Sequence, residues 1–191
     1  APDRVAPKCF YFGTCGGCSW QNMDYSSQLK WKRQHVEDAL KRIGKVQPDI
    51  IHPTMPSPKE FEYRNKMEFS FGAFRWLTPS EISSDADLDK NFAIGLHYPG
   101  KYDKIIDISE CHLQPSIGNE IMNAVRQKAQ ELKVELYDYN RHCGFLKNLV
   151  LRYSIYENAL MAILISSPAE LPNETEFADW FVSELPLKFK E

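Results

Sequence analysis

Cys9, Cys15 and Cys18 are spaced C-x5-C-x2-C in the stretch Cys9-Phe10-Tyr11-Phe12-Gly13-Thr14-Cys15-Gly16-Gly17-Cys18, and a fourth cysteine that could join them, Cys111, lies far downstream. Thiolates are soft ligands, and three from one loop plus one from afar is a usual way for a chain to wrap an iron–sulfur cluster. The glycines at 13, 16 and 17 free the backbone to fold tightly around such a group. Structural zinc sites usually draw their ligands as two close pairs, and this chain offers only one, so the spacing leans towards iron–sulfur and leaves zinc as the alternative. A disulfide framework needs an oxidising compartment, yet there are five cysteines, an odd number, and no signal-type apolar segment at the start.

Other residues offer less. Cys143 has basic neighbours in Arg141-His142-Cys143-Gly144 that could lower a thiol pKa, but a lone cysteine without a base partner is more often inert. His97, beside the turn Pro99-Gly100, reads as a surface histidine. There is no P-loop and no glycine-rich turn after a strand that could hold a nucleotide-type cofactor.

These residues need elements to position them. Asp24 can cap a helix in which Tyr25, Leu29, Val36, Leu40 and Ile43 fall on one stripe before Gly44 stops it. Four prolines make 46–61 an extended connector. In the strand pattern from Glu62 to Phe71, Tyr63, Met67, Phe69 and Phe71 share the packed face, and Arg64, Lys66, Glu68 and Ser70 the other. That second face presents two cations about 7 Å apart, comparable with successive phosphates on a nucleic-acid strand.

Thr78 to Asn91, with Glu81, Asp85, Asp87 and Asp89, reads as an acidic loop. The next strand carries Phe92, Ile94 and Leu96, and the short run Ile105 to Ile108 leads to Cys111. Ser116 can cap a second helix with Ile117, Ile121, Val125, Ala129 and Leu132 inside. Phe145 to Tyr156 is a strand that pairs through Glu157-Asn158 with Ala159 to Ile165; apolar on both faces, the latter reads as central. A last helix carries Phe177, Trp180, Phe181 and Leu185. The order predicts an α+β fold, an antiparallel sheet packed with about three helices, with residues 1–45 (cysteine loop and first helix) forming one compact unit with 46–191.

The whole chain sets bounds on this. Its 191 residues, 43% hydrophobic, can bury a real core, and no apolar run is long enough to span a membrane, which makes a soluble cytoplasmic protein, as a monomer, the expectation. A net charge of −3 argues against gripping nucleic acid over the whole surface but leaves room for a local basic face.

Taken together, the residues resemble a known family, the iron–sulfur RNA (uracil-5-)-methyltransferases, with the bacterial 23S ribosomal RNA enzymes as nearest relatives. The resemblance rests on Pro2 to Cys9 leading into Phe12-Gly13-Thr14-Cys15-Gly16-Gly17-Cys18 and Trp20-Gln21, on Gln28-Leu29 and Val36 to Gly44, on Tyr63-Arg64-Asn65-Lys66 with Phe69-Ser70, on Gly95-Leu96-His97 through Ile106-Asp107-Ile108 to Cys111-His112-Leu113, and on Leu149 to Arg152. It implies a 4Fe-4S cluster held by Cys9, Cys15, Cys18 and Cys111. The intact enzymes of the family look like three-part proteins: a β-barrel RNA-binding domain, a cluster-bearing central domain, and a Rossmann-like domain that binds S-adenosylmethionine and carries the attacking cysteine and the base.

This chain matches the central part. The resemblance therefore implies a fragment, without the N-terminal barrel or the C-terminal catalytic domain, that is inactive alone and holds no catalytic residue; Cys143 is not promoted to that role. On that resemblance the expectation is a cluster that acts as a structural staple while Arg64, Lys66 and Arg152 contact RNA, ribosomal RNA first and tRNA as the other option. A freestanding iron–sulfur electron carrier and a zinc-stapled interaction module are the competing functions.

Overall fold

The computed structural model describes residues 2–84 and 87–189, so Asp85 of the acidic loop lies outside the described residues. Six strands form one sheet: β1 (Lys66–Gly72), β2 (Arg75–Trp76), β3 (Ala93–His97), β4 (Ile105–Asp107), β5 (Leu146–Ser154) and β6 (Ala159–Ser166), in the spatial order β2-β4-β3-β1-β5-β6. Met67, Phe69 and Phe71 of β1 point into the core, as the period-2 pattern predicts, and meet Leu149 and Leu151 of β5. The core is closed on one face of the sheet by α3 (Ser116–Glu131), through Ile121, Met122, Val125 and Ala129, and by α4 (Pro172–Ser183), through Phe177 and Phe181. Two single-turn helices, α2 (Pro79–Ile82) and α5 (Leu185–Lys188), add to the three long ones.

The sheet departs from a purely antiparallel one at β2, which runs parallel to β4 with Arg75 opposite Ile105. Both edges of β1 are taken by β3 and β5, so its continuation finds a free edge only on β4, and a two-residue strand has no periodicity to announce itself. β6 is the edge strand rather than a central one: Leu160, Ala162 and Leu164 pack inward while Met161 stays 59% exposed. Apolar residues on both faces matched a central strand, but only one face found a helix to cover it.

The first helix, α1 (Tyr25–Asp38), starts at Asp24, whose carboxylate accepts from the Ser27 N–H at 3.1 Å, and runs on as a π-helical turn through Ala39–Ile43. Its apolar stripe is not buried against the sheet: Val36 and Ile43 are 53% and 83% exposed. A 3.6-residue repeat says which side chains share a stripe, not that a surface is available for them, and α3 and α4 already cover the apolar face of the sheet. At α3, Ser116 is the first helical residue and makes no capping bond; Pro115 holds the cap position. The acidic stretch contains α2, capped by Thr78 and Glu81 and tied to Arg75 through Glu81 at 2.7 Å. Among the described residues, no helix is long and apolar enough to cross a membrane.

Candidate metal centre and nucleic-acid face

The cysteine loop is built by local turns. The Phe12 N–H donates to the Cys9 carbonyl at 3.2 Å and the Cys15 N–H to the Tyr11 carbonyl at 2.8 Å, with Gly13 at φ +87°, a conformation that costs glycine little. Three anchors place the loop on the body. Arg4 pairs antiparallel with Met23 behind it, the Gly16 N–H donates to the His97 carbonyl at the end of β3 at 3.1 Å, and the Tyr11 hydroxyl accepts from the Ser109 N–H at 3.1 Å. Ser109 sits just past β4, so the same contact brings the loop to the segment that carries Cys111.

That segment is fixed in turn by Asn119 of α3, whose Oδ1 accepts from the Cys111 N–H at 2.9 Å. Cys9, Cys15, Cys18 and Cys111 then line one cavity, with Tyr11, Phe12, Leu96, Ile108 and Leu113 as its apolar walls. Gln21 braces the set: its Oε1 accepts from the Cys9 N–H at 3.1 Å and its Nε2 donates to Cys18 Sγ at 3.2 Å. The Gly17 N–H points at Cys15 Sγ at 3.4 Å. Sulfur atoms that receive N–H donors in an apolar pocket are suited to carry the negative charge that metal ligation requires.

As bare thiols, Cys9, Cys15 and Cys111 hold their protons. Burial pushes Cys15 up to about 11 and raises Cys9 and Cys111, and the neighbouring thiols in the set push the same way. Only a strong Lewis acid would turn these three into thiolates at neutral pH. Among the described residues no three His, Cys, Asp or Glu side chains converge as a single metal ion needs. A zinc ion requires all its ligands about 2.3 Å from one atom, whereas a polynuclear cluster spreads four sulfurs over separate irons. The donor set is all sulfur, which structural zinc ions and iron–sulfur clusters both accept.

The predicted cations lie beside this loop. The segment before β1 is not part of the strand: the Glu62 and Arg64 N–H groups donate to the carbonyls of His112 and Leu113 at 2.9 and 2.8 Å, which fastens the segment next to Cys111. Tyr63 is consequently 55% exposed instead of packed. Arg64 and Lys66 line a cleft of about 400 Å³ together with Gly16, Gly17 and His97. Lys66 faces Arg152 directly across the β1/β5 pair. Like charges so placed repel, and Lys66 is relieved by Glu68 at 3.2 Å, while Arg64 and Arg152 have no ion pair among the described residues. Cys143 is exposed and lines a different pocket, away from the four.

Sequence reasoning missed a polar cluster under this face. His97 is not a free surface side chain; its Nε2 shares a hydrogen bond with Ser70 Oγ at 2.8 Å, and Asn148 Nδ2 donates to the same oxygen at 3.1 Å. Tyr139 stands edge-on to His97 with ring centroids 6.1 Å apart, and burial raises its hydroxyl pKa. The signal was present in Ser70 and Asn148, small uncharged polar residues on β1 and β5 that pair in register.

No family model matches the chain. Its homologues are named RNA methyltransferases. An uncharacterized RNA methyltransferase of Bacteroides thetaiotaomicron is 42% identical over 170 residues, 89% of this chain and 37% of that protein, and one of Chlorobaculum tepidum is 40% identical over 168 residues, 87% of this chain and 35% of that protein. More particularly, the tRNA (uracil(54)-C(5))-methyltransferase of Pyrococcus abyssi is 30% identical over 180 residues, 94% of this chain and 38% of that protein. The crystal structure of a Pyrococcus abyssi tRNA (uracil-54, C5)-methyltransferase in complex with S-adenosyl-L-homocysteine superposes with a TM-score of 0.60 at 26% identity, over 93% of this chain and 35% of that one. The chain spans about a third of the length of the relatives it matches.

Proposed function

We propose that this chain is the cluster-bearing, RNA-gripping part of an S-adenosylmethionine-dependent RNA (uracil-5-)-methyltransferase. The observation that carries the reading is the convergence of Cys111 with Cys9, Cys15 and Cys18 on one cavity, in a chain whose homologues are named RNA methyltransferases. The four cysteines would hold a 4Fe-4S cluster, which supplies a cross-link between the N-terminal loop and the segment before α3. Folding and metal uptake are then coupled, because the buried thiols gain their charge only on ligation.

Arg64 and Arg152, which have no carboxylate partner among the described residues, bind phosphates beside the loop, and Lys66 shares its charge between Glu68 and the RNA. His97, Ser70 and Asn148 stiffen the strands beneath, so the cations keep fixed spacing while a base is drawn from its stack elsewhere in the enzyme. Methyl transfer itself, with S-adenosylmethionine as donor, belongs to the rest of the longer protein, so the chain by itself makes no 5-methyluridine. We take ribosomal RNA as the target; the Pyrococcus abyssi relative is named for tRNA, and methylation of each RNA by the longer protein separates the two.

The test of the centre is chemical. Chain purified under nitrogen should contain about four irons and four acid-labile sulfides, and Cys111→Ser should lower both along with the unfolding midpoint. One zinc per chain, or iron content and stability untouched by Cys111→Ser, would overturn the ligand set.

A further inference from the structure

Gly17 borders two clefts: the one with Arg64 and Lys66, and a larger one of about 830 Å³ behind it. The walls of the larger cleft are aromatic and cationic, with Trp20, Tyr25, Phe61, Tyr63, Lys8 and Lys32 among them. Lys8 Nζ stands over the Phe61 ring, 4.8 Å from its centroid, and Tyr63 turns its ring outward. The charges here are uneven once internal pairs are set aside. Lys59 is held by Glu62 at 3.6 Å, and Asp24 is occupied by Ser26 and Ser27 at the start of α1. Lys8 and Lys32, with no ion pair among the described residues, face only Glu60.

The exposed Tyr63 ring next to lysines that have no ion pair among the described residues suits a polyanion that also offers flat rings. Single-stranded nucleic acid does so; a duplex hides its base faces in the stack, and an apolar peptide would gain nothing from the lysines. The two clefts are neighbours, since Tyr63 lines one and Arg64 the other, on backbone fastened to His112 and Leu113. We propose that the larger cleft binds single-stranded RNA, stacking a base on Tyr63 and holding phosphates with Lys8 and Lys32, and passes the strand by Arg64 to Lys66 and Arg152. This rests on the RNA-binding reading above and adds to it a base-stacking subsite on the far side of the cysteine loop.

The experiment compares two probes on the full chain purified under nitrogen: a short fluorescein-labelled oligouridylate, and an abasic strand of the same length and charge. Tyr63→Ala should weaken oligouridylate binding about 5- to 100-fold while changing abasic binding less than about twofold, and Tyr63→Phe should restore it. Lys8→Ala and Lys32→Ala should weaken both probes and lower the salt dependence. Tyr63 is exposed, so the unfolding midpoints of both Tyr63 variants should match that of the wild type. Unchanged oligouridylate binding in Tyr63→Ala, or equal binding of a duplex, overturns the stacking cleft; if Arg64→Ala and Arg152→Ala still weaken binding, the RNA reading survives that result. No binding of any RNA probe overturns both.

Discussion

Gly16 donates its N–H to the carbonyl of His97 at 3.1 Å, and a Cβ on Gly16 would stand 3.0 Å from that same oxygen. The cysteine loop is therefore seated on the end of β3 by a contact that has no room for a side chain. Gly17 is different: a Cβ there meets the Leu96 Cδ1 at 3.1 Å, the end of a flexible side chain. Gly16→Ala should lower stability by about 1 kcal/mol, roughly 2–4 °C in the unfolding midpoint, by stretching that hydrogen bond. Gly17→Ala should cost visibly less in the same thermal melts, and equal losses would refute the distinction.

Arg126 ties α3 to the strand that leads to Cys111. Its guanidinium bonds the Asp107 carboxylate and the Ile108 carbonyl, and Asp107 also accepts from the Ile94 N–H at 3.0 Å. Removing the guanidinium leaves a largely buried carboxylate without its cation. Arg126→Ala should destabilise by about 2 kcal/mol, and Arg126→Lys should recover less than half of it, because one ammonium cannot reach both acceptors in a fixed fork. Urea denaturation of the three proteins measures this directly.

Asp24 predicts a pH signature at the start of α1. The Ser26 hydroxyl, with the Ser27 N–H and side chain, holds its carboxyl down to about 2. An unfolded aspartate titrates near 3.9, so the folded state binds its proton later. The stabilisation is fully present above about pH 4 and is lost as pH falls towards 2. The difference in melting temperature between wild type and Asp24→Ala should thus be constant from pH 7 to 5 and shrink below pH 4; a difference that persists at pH 2 would contradict it.

Glu68 competes with RNA for Lys66 if the basic face works as proposed. Glu68→Gln should tighten RNA binding and steepen its dependence on salt, whereas Arg152→Ala should flatten the slope of log K against log salt by about 0.7–0.9. Fluorescence titrations at several salt concentrations give both slopes. A slope indifferent to Arg152 would remove it from the interface.

Much of this was readable along the chain, because short-range rules govern it. The thiol spacing named the loop, Asp24 named the start of α1, and alternation named the buried face of β1. Where periodicity was the only guide it gave stripes without partners. It could not tell that the stripe of α1 would find no cover, that β6 would be an edge, or that Tyr63 would leave the strand pattern because Glu62 and Arg64 bond to His112 and Leu113 instead.

By itself, then, the amino-acid order determined which side chains carry sulfur, charge and aromatic rings, and which local turns and helices hold them. Tertiary structure alone decided that Cys111 reaches a loop some ninety positions earlier, that Lys66 and Arg152 stand side by side, and that Gly17 separates two clefts. The physical reason is that hydrogen bonding and side-chain period act over a few residues, while these neighbours are made by competition among all elements for one apolar sheet face and its edges.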